Sequence, residues 1–88
     1  MPYIKPEDRE KFALLIAQFE TTIISSPGEL NYLLTMLTHR FLNIKAESYQ
    51  GYNDAIGALE GCKLELYRRH VGSYENDKIK ENGDVYEL

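Results

Sequence analysis

Apolar side chains recur at helical spacing along three stretches of this chain. The first stretch follows Pro6, which suits the first position of a helix because its missing N–H would be unpaired there anyway. Its apolar stripe consists of Phe12, Leu15, Ile16, Phe19 and Ile23. Leu14 and Ile24 lie off this stripe, which indicates that the helix contacts more than one neighbour.

A helix start is predicted at Ser26-Pro27-Gly28-Glu29. Ser26 is expected to cap the helix, Pro27 to take its first position, and Glu29 to complete a capping box. This second helix is expected to end near Ile44. The apolar face that it presents consists of Leu30, Leu33, Leu34, Leu37 and Phe41.

A third, longer helix is predicted to begin after Ser48, its cap, and to end or kink at Gly72. Its expected buried stripe consists of Tyr52, Ala55, Ile56, Leu59, Cys62 and Leu66. Ser73 then caps a short fourth helix that stops at the Asn82-Gly83 pair, and residues 84–88 are expected to be extended. The pattern predicts an all-α fold: one domain, residues 1–88, built as a compact bundle of three main helices, a short C-terminal helix and an extended tail.

Two glycines of the third helix, Gly57 and Gly61, are four residues apart and therefore share a face. Each costs a helix about 1 kcal/mol relative to alanine, so the pair indicates that a backbone or a ligand approaches closely. Tight helix–helix packing is the simpler explanation. Cys62, beside them, is expected to be a small core residue and not a nucleophile.

The length and net charge of the chain favour self-association and argue against nucleic-acid binding. A chain of 88 residues forms a small core, and association of subunits would enlarge it, which favours a homo-oligomer. The net charge of −4 argues against direct nucleic-acid binding, because phosphate contacts require a basic face.

One cysteine allows no intrachain disulfide and suits a reducing compartment. With no apolar run of membrane-spanning length and no signal-peptide pattern, a cytoplasmic protein without a membrane segment is expected.

A basic and aromatic cluster lies in the last third of the chain. It combines Lys63, Arg68 and Arg69 with Tyr67 and Tyr74. Guanidinium groups bind phosphate or carboxylate in a bidentate manner, and tyrosine rings can stack on a base, so a nucleotide-sized anion is a chemically sensible ligand. The alternative is an ordinary surface pair between Glu65 and Arg69, four residues apart on a helix.

Nothing in the sequence indicates catalysis or a resident cofactor. The two histidines, His39 and His70, form no metal-binding pattern with Cys62. The carboxylates Glu60 and Glu65 are five residues apart and do not converge on a helix. No glycine-rich phosphate loop is present. The pattern favours a non-enzymatic protein without a metal or cofactor.

Segments across nearly the whole chain resemble a family of small proteins, a domain of unknown function, that occurs widely in tailed-phage genomes and prophages. The segments are residues 28–32, 48–49, 53–60, 64–69, 74–75, 78–79 and 81–86. The resemblance implies a viral origin but no activity. It also implies a shared set of polar motif residues: Asn31, Tyr32, Glu65, Tyr67, Arg68, Arg69, Tyr74 and Glu75.

Two functions follow as hypotheses. In the first, a homo-oligomeric phage accessory protein binds a nucleotide-like anion and sequesters a host immune signal, with Lys63, Arg68 and Arg69 on phosphate. A tyrosine (Tyr32, Tyr67 or Tyr74) would stack on the base and Asn31 would hydrogen-bond. In the second, an anti-CRISPR-like or other anti-defence inhibitor binds a host protein by charge complementarity. Its acidic, tyrosine-bearing surface would consist of Glu75, Asp77, Glu81, Asp84 and Tyr86, together with Glu87.

Overall fold

The structure, a computed structural model, describes residues 2–45 and 47–86. Its regular elements are α1 (Pro6–Arg9), a 3₁₀ turn (Glu10–Phe12), α2 (Ala13–Glu20), α3 (Pro27–Lys45), α4 (Tyr49–Leu66), a π-helical turn (Tyr67–Val71) and α5 (Gly72–Asn82). Every regular element in the described part of the chain is helical, which confirms the all-α class. The packing of these helices into a compact bundle stays a prediction.

Helix α2 ends at Glu20, before Ile23, the last residue of the apolar stripe predicted for the first helix. The hydroxyls of Thr21 and Thr22 donate to the backbone oxygen of Gln18, at 3.0 and 2.7 Å. Such bonds from threonine to a preceding carbonyl compete with continuation of the helix. The chain therefore leaves the helix after Glu20, and residues 21–26 form the connection to α3.

The predicted capping box at the start of α3 is confirmed, with one difference. The Glu29 N–H donates to Ser26 Oγ at 3.1 Å. In return, Glu29 Oε1 accepts the Ser25 N–H at 2.7 Å and the Ser25 hydroxyl at 3.1 Å. The Ser26 N–H, which a standard box would use, contributes less than Ser25 to lowering the pKa of this carboxyl. These donors favour the ionised carboxylate, and the Ser25 N–H contributes most to lowering the pKa of Glu29.

The ends of the later helices also follow local sequence signals. Ser48 Oγ accepts the Gly51 N–H at 3.0 Å, which confirms Ser48 as the cap of α4. Gly83 has a φ of +87°, and its N–H bonds Ile79 O at 2.8 Å, which ends α5 as predicted. The tail then bends where the Tyr86 N–H meets Asp84 Oδ1 at 3.0 Å. The rest of the predicted extended tail, with Glu87, lies outside the described residues.

The chain divides into two compact units. The N-terminal unit is Tyr3–Ile56, and the C-terminal unit is Gly57–Leu88 together with Met1–Pro2. The boundary falls inside α4, so one continuous helix contributes to both. The single domain expected from the sequence stays a prediction.

The apolar stripes do not form the core that was expected of them. In the stripe predicted for the third helix, Ala55 is buried, at 6% exposure, whereas Ile56 is 66% exposed and Cys62 is exposed as well. A cysteine buried in the core was therefore a wrong prediction. An apolar period shows which side chains share a face, but burial also requires a second surface that covers that face.

An apolar groove runs between α2 and α3 in the N-terminal unit. We call it the α2–α3 groove. Its volume is about 320 Å³. Its lining consists of Leu15, Phe19, Thr22, Ile24, Leu30, Leu33, Leu34 and Leu37. Two residues of the stripe predicted for the first helix and four of the stripe predicted for the second therefore line a common groove, together with Ile24, which was placed off the first stripe.

Candidate functional site

The basic and aromatic cluster of the C-terminal unit is built on a π-helical turn. Here the Gly72 N–H bonds Tyr67 O, five residues back instead of four. A Cβ atom on residue 72 would lie 3.1 Å from that oxygen, so glycine suits this position because it has no side chain to crowd the carbonyl. Single π-turns add one residue to a helix and are frequent at functional sites.

The π-turn corrects the predicted break between the third and fourth helices. Val71 and Gly72 keep helical backbone angles, and no side chain caps the start of α5. The assignment of Ser73 as a helix cap was therefore wrong, while the kink allowed for at Gly72 takes the form of the π-turn. Glycine and serine are common at helix boundaries. In this chain Gly72 instead follows a π-helical turn within a continuous helix, and Ser73 lies inside α5.

One carboxylate holds both arginines of the turn. Glu65 Oε1 lies 3.0 Å from Arg68 Nη2 and 3.4 Å from Arg69 Nε. Glu65 is half-buried, whereas the two arginine side chains are 62% and 60% exposed. The pair expected between Glu65 and Arg69 is present and extends to Arg68. One negative charge thus faces two positive charges, so the trio keeps a net positive charge at the surface.

The third basic residue, Lys63, has a separate partner. Its Nζ lies 3.5 Å from Glu60 Oε1, and both side chains are more than half exposed. An ion pair of this kind contributes about 0–1 kcal/mol, so a ligand could replace Glu60 at little cost. Among the described residues, Lys63 therefore pairs with Glu60, and the two arginines share Glu65.

Tyr67 and Tyr74 present aromatic surface on either side of the π-turn, and both rings are exposed. Lys78 Nζ lies 5.4 Å from the centre of the Tyr74 ring and 3.0 Å from Glu81 Oε2. Sequence reasoning missed Lys78. The signal was available, because Tyr74 and Lys78 are four residues apart and such residues meet on a helix.

Asn31 and Tyr32, the other two predicted ligand contacts, belong to α3 in the N-terminal unit. Asn31 Oδ1 accepts the Thr35 hydroxyl at 3.3 Å, and Tyr32 is exposed beside Glu29 along a shallow groove. Their approach to the basic cluster stays a prediction.

The acidic residues proposed as a protein-binding surface are dispersed over α5 and the tail. Asp77 and Glu81 are four residues apart and share a face, but Glu75 lies roughly 200° around the helix from Asp77. Lys78 pairs with Glu81, so the face is mixed in charge. Asp84 accepts a backbone N–H from Tyr86, whose ring is exposed. An acidic surface on α5 is therefore small, about two carboxylates wide.

The paired glycines of α4 have different surroundings. A Cβ atom on Gly57 would meet no atom of the described residues within 4 Å, so the described backbone does not approach that position closely. Gly61 is half-buried and lines a groove of about 270 Å³ with Pro2, Cys62, Glu65 and Ala58. Within the described residues, no three His, Cys, Asp or Glu side chains are grouped to hold a metal ion.

A family model described as "Domain of unknown function (DUF6899)" matches residues 1–85. The chain belongs to the DUF6899 family. No curated protein and no solved structure matches it. The DUF6899 match includes the π-turn and the whole α2–α3 groove. In the described part of this domain, no helix combines the length and apolar character needed to cross a membrane.

Proposed function

We propose that this chain is a non-enzymatic, self-associating phage protein that binds a nucleotide-like anion at the π-turn. The observation that carries the proposal is the pair of exposed guanidiniums, Arg68 and Arg69, held at consecutive positions by the half-buried Glu65. Arginine has five N–H donors, more than one carboxylate oxygen accepts. Arg69 uses its Nε toward Glu65, and its terminal amino groups are the donors offered to a phosphate.

The neighbouring side chains suit the remainder of a nucleotide. The exposed rings of Tyr67 and Tyr74 offer faces for base stacking, a contact worth about 1–3 kcal/mol per base. Lys63 adds a second charge for phosphate, and Asn31 and Tyr32 would add contacts if association of the helices into a compact bundle brings α3 alongside. In a host cytoplasm, such binding would sequester a nucleotide immune signal.

Calorimetric titration of the purified protein tests this proposal. The panel contains linear and cyclic nucleotides, with inorganic phosphate as a reference. At 100 times its dissociation constant, a ligand should also stabilise the fold by about 2.7 kcal/mol. Arg69→Ala should weaken binding at least about tenfold, the loss of one charge-assisted hydrogen bond. Lys80→Ala, an exposed lysine on α5, is the matched control and should leave affinity unchanged. A panel without binding would contradict the proposal.

The acidic face of α5 supports the second candidate, an anti-defence inhibitor or adaptor. Asp77 and Glu81 share one exposed face, and the exposed Tyr86 follows on the tail. Such a surface would bind a basic host protein in a salt-sensitive manner. Asp77→Lys with Glu81→Lys should abolish that binding and leave nucleotide affinity unchanged. Binding to a host protein that survives this double reversal would exclude the candidate.

A further inference from the structure

The Asn82-Gly83 pair at the end of α5 has a chemistry that no other asparagine of the chain shares. The sequence contains five asparagines, and Asn82 alone is followed by glycine. The other four precede residues that have side chains: Asn31, Asn43, Asn53 and Asn76. Because glycine has no Cβ atom, its backbone nitrogen is the least hindered nucleophile that can follow an asparagine. The Asn82 carboxamide is therefore the one most open to attack by the next backbone nitrogen.

The end of α5 is accessible to water. Every residue from 73 to 86 is exposed, and α5 contains no buried residue. Helix ends with few buried contacts and solvent-exposed hydrogen bonds open at little cost in free energy, while the rest of the fold stays intact. The backbone around Asn82 can therefore change conformation without global unfolding.

One hydrogen bond holds the Gly83 nitrogen in place. The Gly83 N–H donates to Ile79 O at 2.8 Å, in a cap for which glycine adopts a φ of +87°. A backbone nitrogen attacks a carboxamide only after it has lost its proton, and this proton lies in the bond to Ile79 O. The cap bond must therefore open before the nitrogen can react.

We infer that Asn82 is a site of spontaneous deamidation in the folded chain, and that the cap bond between the Gly83 N–H and Ile79 O limits its rate. The Gly83 nitrogen gives its proton to water or hydroxide and attacks Cγ of Asn82. The N–Cγ bond forms, the Cγ–Nδ2 bond breaks, and ammonia leaves with a proton taken back from water. Water then opens the resulting succinimide, at Cγ to give aspartate or at the main-chain carbonyl carbon to give isoaspartate. Overall, one water is consumed and one ammonia is released.

The product differs from the original chain in charge and in backbone path. Each conversion adds one negative charge to a chain whose net charge is already −4, and it does so at a helix C-terminus, where the helix dipole disfavours a carboxylate. In the isoaspartate form the main chain runs through Cγ of residue 82, which displaces the Gly83 N–H from Ile79 O. The modification therefore alters the tail that carries Asp84 and Tyr86, two residues of the surface in the second candidate function.

Peptide mapping by mass spectrometry, after incubation of the purified protein at neutral and mildly alkaline pH, tests the site. The mass gain of an amide-to-acid exchange should accumulate in the peptide that contains Asn82, and faster at the higher pH. Asn82→Gln is the matched control, because it keeps a carboxamide at this position but requires a larger ring, and its peptide should keep its mass. Conversion of Asn76 as fast as that of Asn82 would overturn the choice of site.

The same chain unfolded in guanidinium chloride tests the role of the cap bond. The folded sample contains sodium chloride at equal ionic strength, and circular dichroism confirms that its helices persist. Asn82 should convert at least about twofold faster in the unfolded chain, the smallest factor by which one backbone hydrogen bond shifts an equilibrium. Equal rates would overturn the control by the cap bond. A folded chain that keeps Asn82 intact while the unfolded chain converts would overturn deamidation in the folded state.

Discussion

One stretch of each unit shows a different surface chemistry. Residues 13–38 of the N-terminal unit contain two charged side chains, whereas ten of the 22 residues in 63–84 are charged. Water solvates the second surface well, and its ion pairs are local. On the first surface, each Å² of apolar area that stays in water forgoes about 25 cal/mol of the stabilisation that burial would give. Exposure along residues 13–38 is therefore costly in water, whereas exposure along residues 63–84 is not.

The largest expected difference between the units concerns one leucine from each. Leu34 is half-buried in the α2–α3 groove, whereas Leu64 is 58% exposed on α4. Leu34→Ala should lower the free energy of unfolding by about 2 kcal/mol, and Leu64→Ala by less than about 0.5 kcal/mol. Urea unfolding followed by circular dichroism at one fixed protein concentration measures both. Equal losses of unfolding free energy in the two variants would show that the groove gives Leu34 no more stabilising contact than Leu64 has on α4.

Serine caps provide the next test. Ser26→Ala removes the acceptor of the Glu29 N–H and should destabilise the protein by about 1 kcal/mol. Ser73→Ala is the matched control in the C-terminal unit, because no side chain caps α5. Its effect on unfolding should stay within about 0.5 kcal/mol. A loss at Ser73 as large as that at Ser26 would show that α5 begins as a separate helix, against the π-turn.

Acid should weaken the start of α3 through Glu29. Its pKa is lowered in the folded chain because the N–H and hydroxyl of Ser25 donate to the carboxylate. The contribution to stability is therefore complete above the ordinary glutamate value of about 4.5 and is lost as the pH falls through the lowered pKa. Thermal unfolding of the wild type and of Glu29→Gln, compared from roughly pH 6 to pH 3, should show a difference in thermal midpoint that disappears in acid. A difference that does not change with pH would contradict the assigned role of the Glu29 carboxylate.

The smallest effect is expected at Lys63. Its pair with Glu60 at 3.5 Å is exposed on both sides, so Lys63→Ala should change the free energy of unfolding by less than about 0.5 kcal/mol. If Lys63 contacts phosphate, the variant should lose more free energy of nucleotide binding than free energy of unfolding. Urea unfolding and calorimetric titration of the same variant compare the two effects, and a stability loss above about 1 kcal/mol would assign Lys63 a structural role.

Local sequence signals predicted the ends of several helices well. Ser26 and Ser48 cap the next helix as expected, and Gly83 ends α5, because each signal depends on a few neighbouring residues. The π-turn was not predictable in this way. Gly72 and Ser73 resemble a helix boundary, and only the chain geometry shows that Gly72 instead approaches the Tyr67 oxygen within a continuous helix.

Burial and the partners of the charged residues depend on more than spacing. The apolar period correctly grouped Leu15 with Phe19 and Leu30 with Leu37 on the faces of the groove, but it could not show that the groove is open. The same limit explains why Cys62 was assigned to a core. In the basic cluster, spacing predicted the Glu65–Arg69 pair, and the three-residue spacing of Glu65 and Arg68 was a second available signal. Only the geometry shows that one carboxylate oxygen, Glu65 Oε1, serves both arginines.

The most direct test of self-association is an isotope-filtered NOE experiment on a mixture of labelled and unlabelled chains. This experiment detects contacts between copies only. If self-association uses the side chains of the α2–α3 groove, the methyl groups of Leu15, Leu34 and Leu37 should give intermolecular NOEs. Intermolecular NOEs confined to α5, or none at concentrations where the helices are folded, would contradict it.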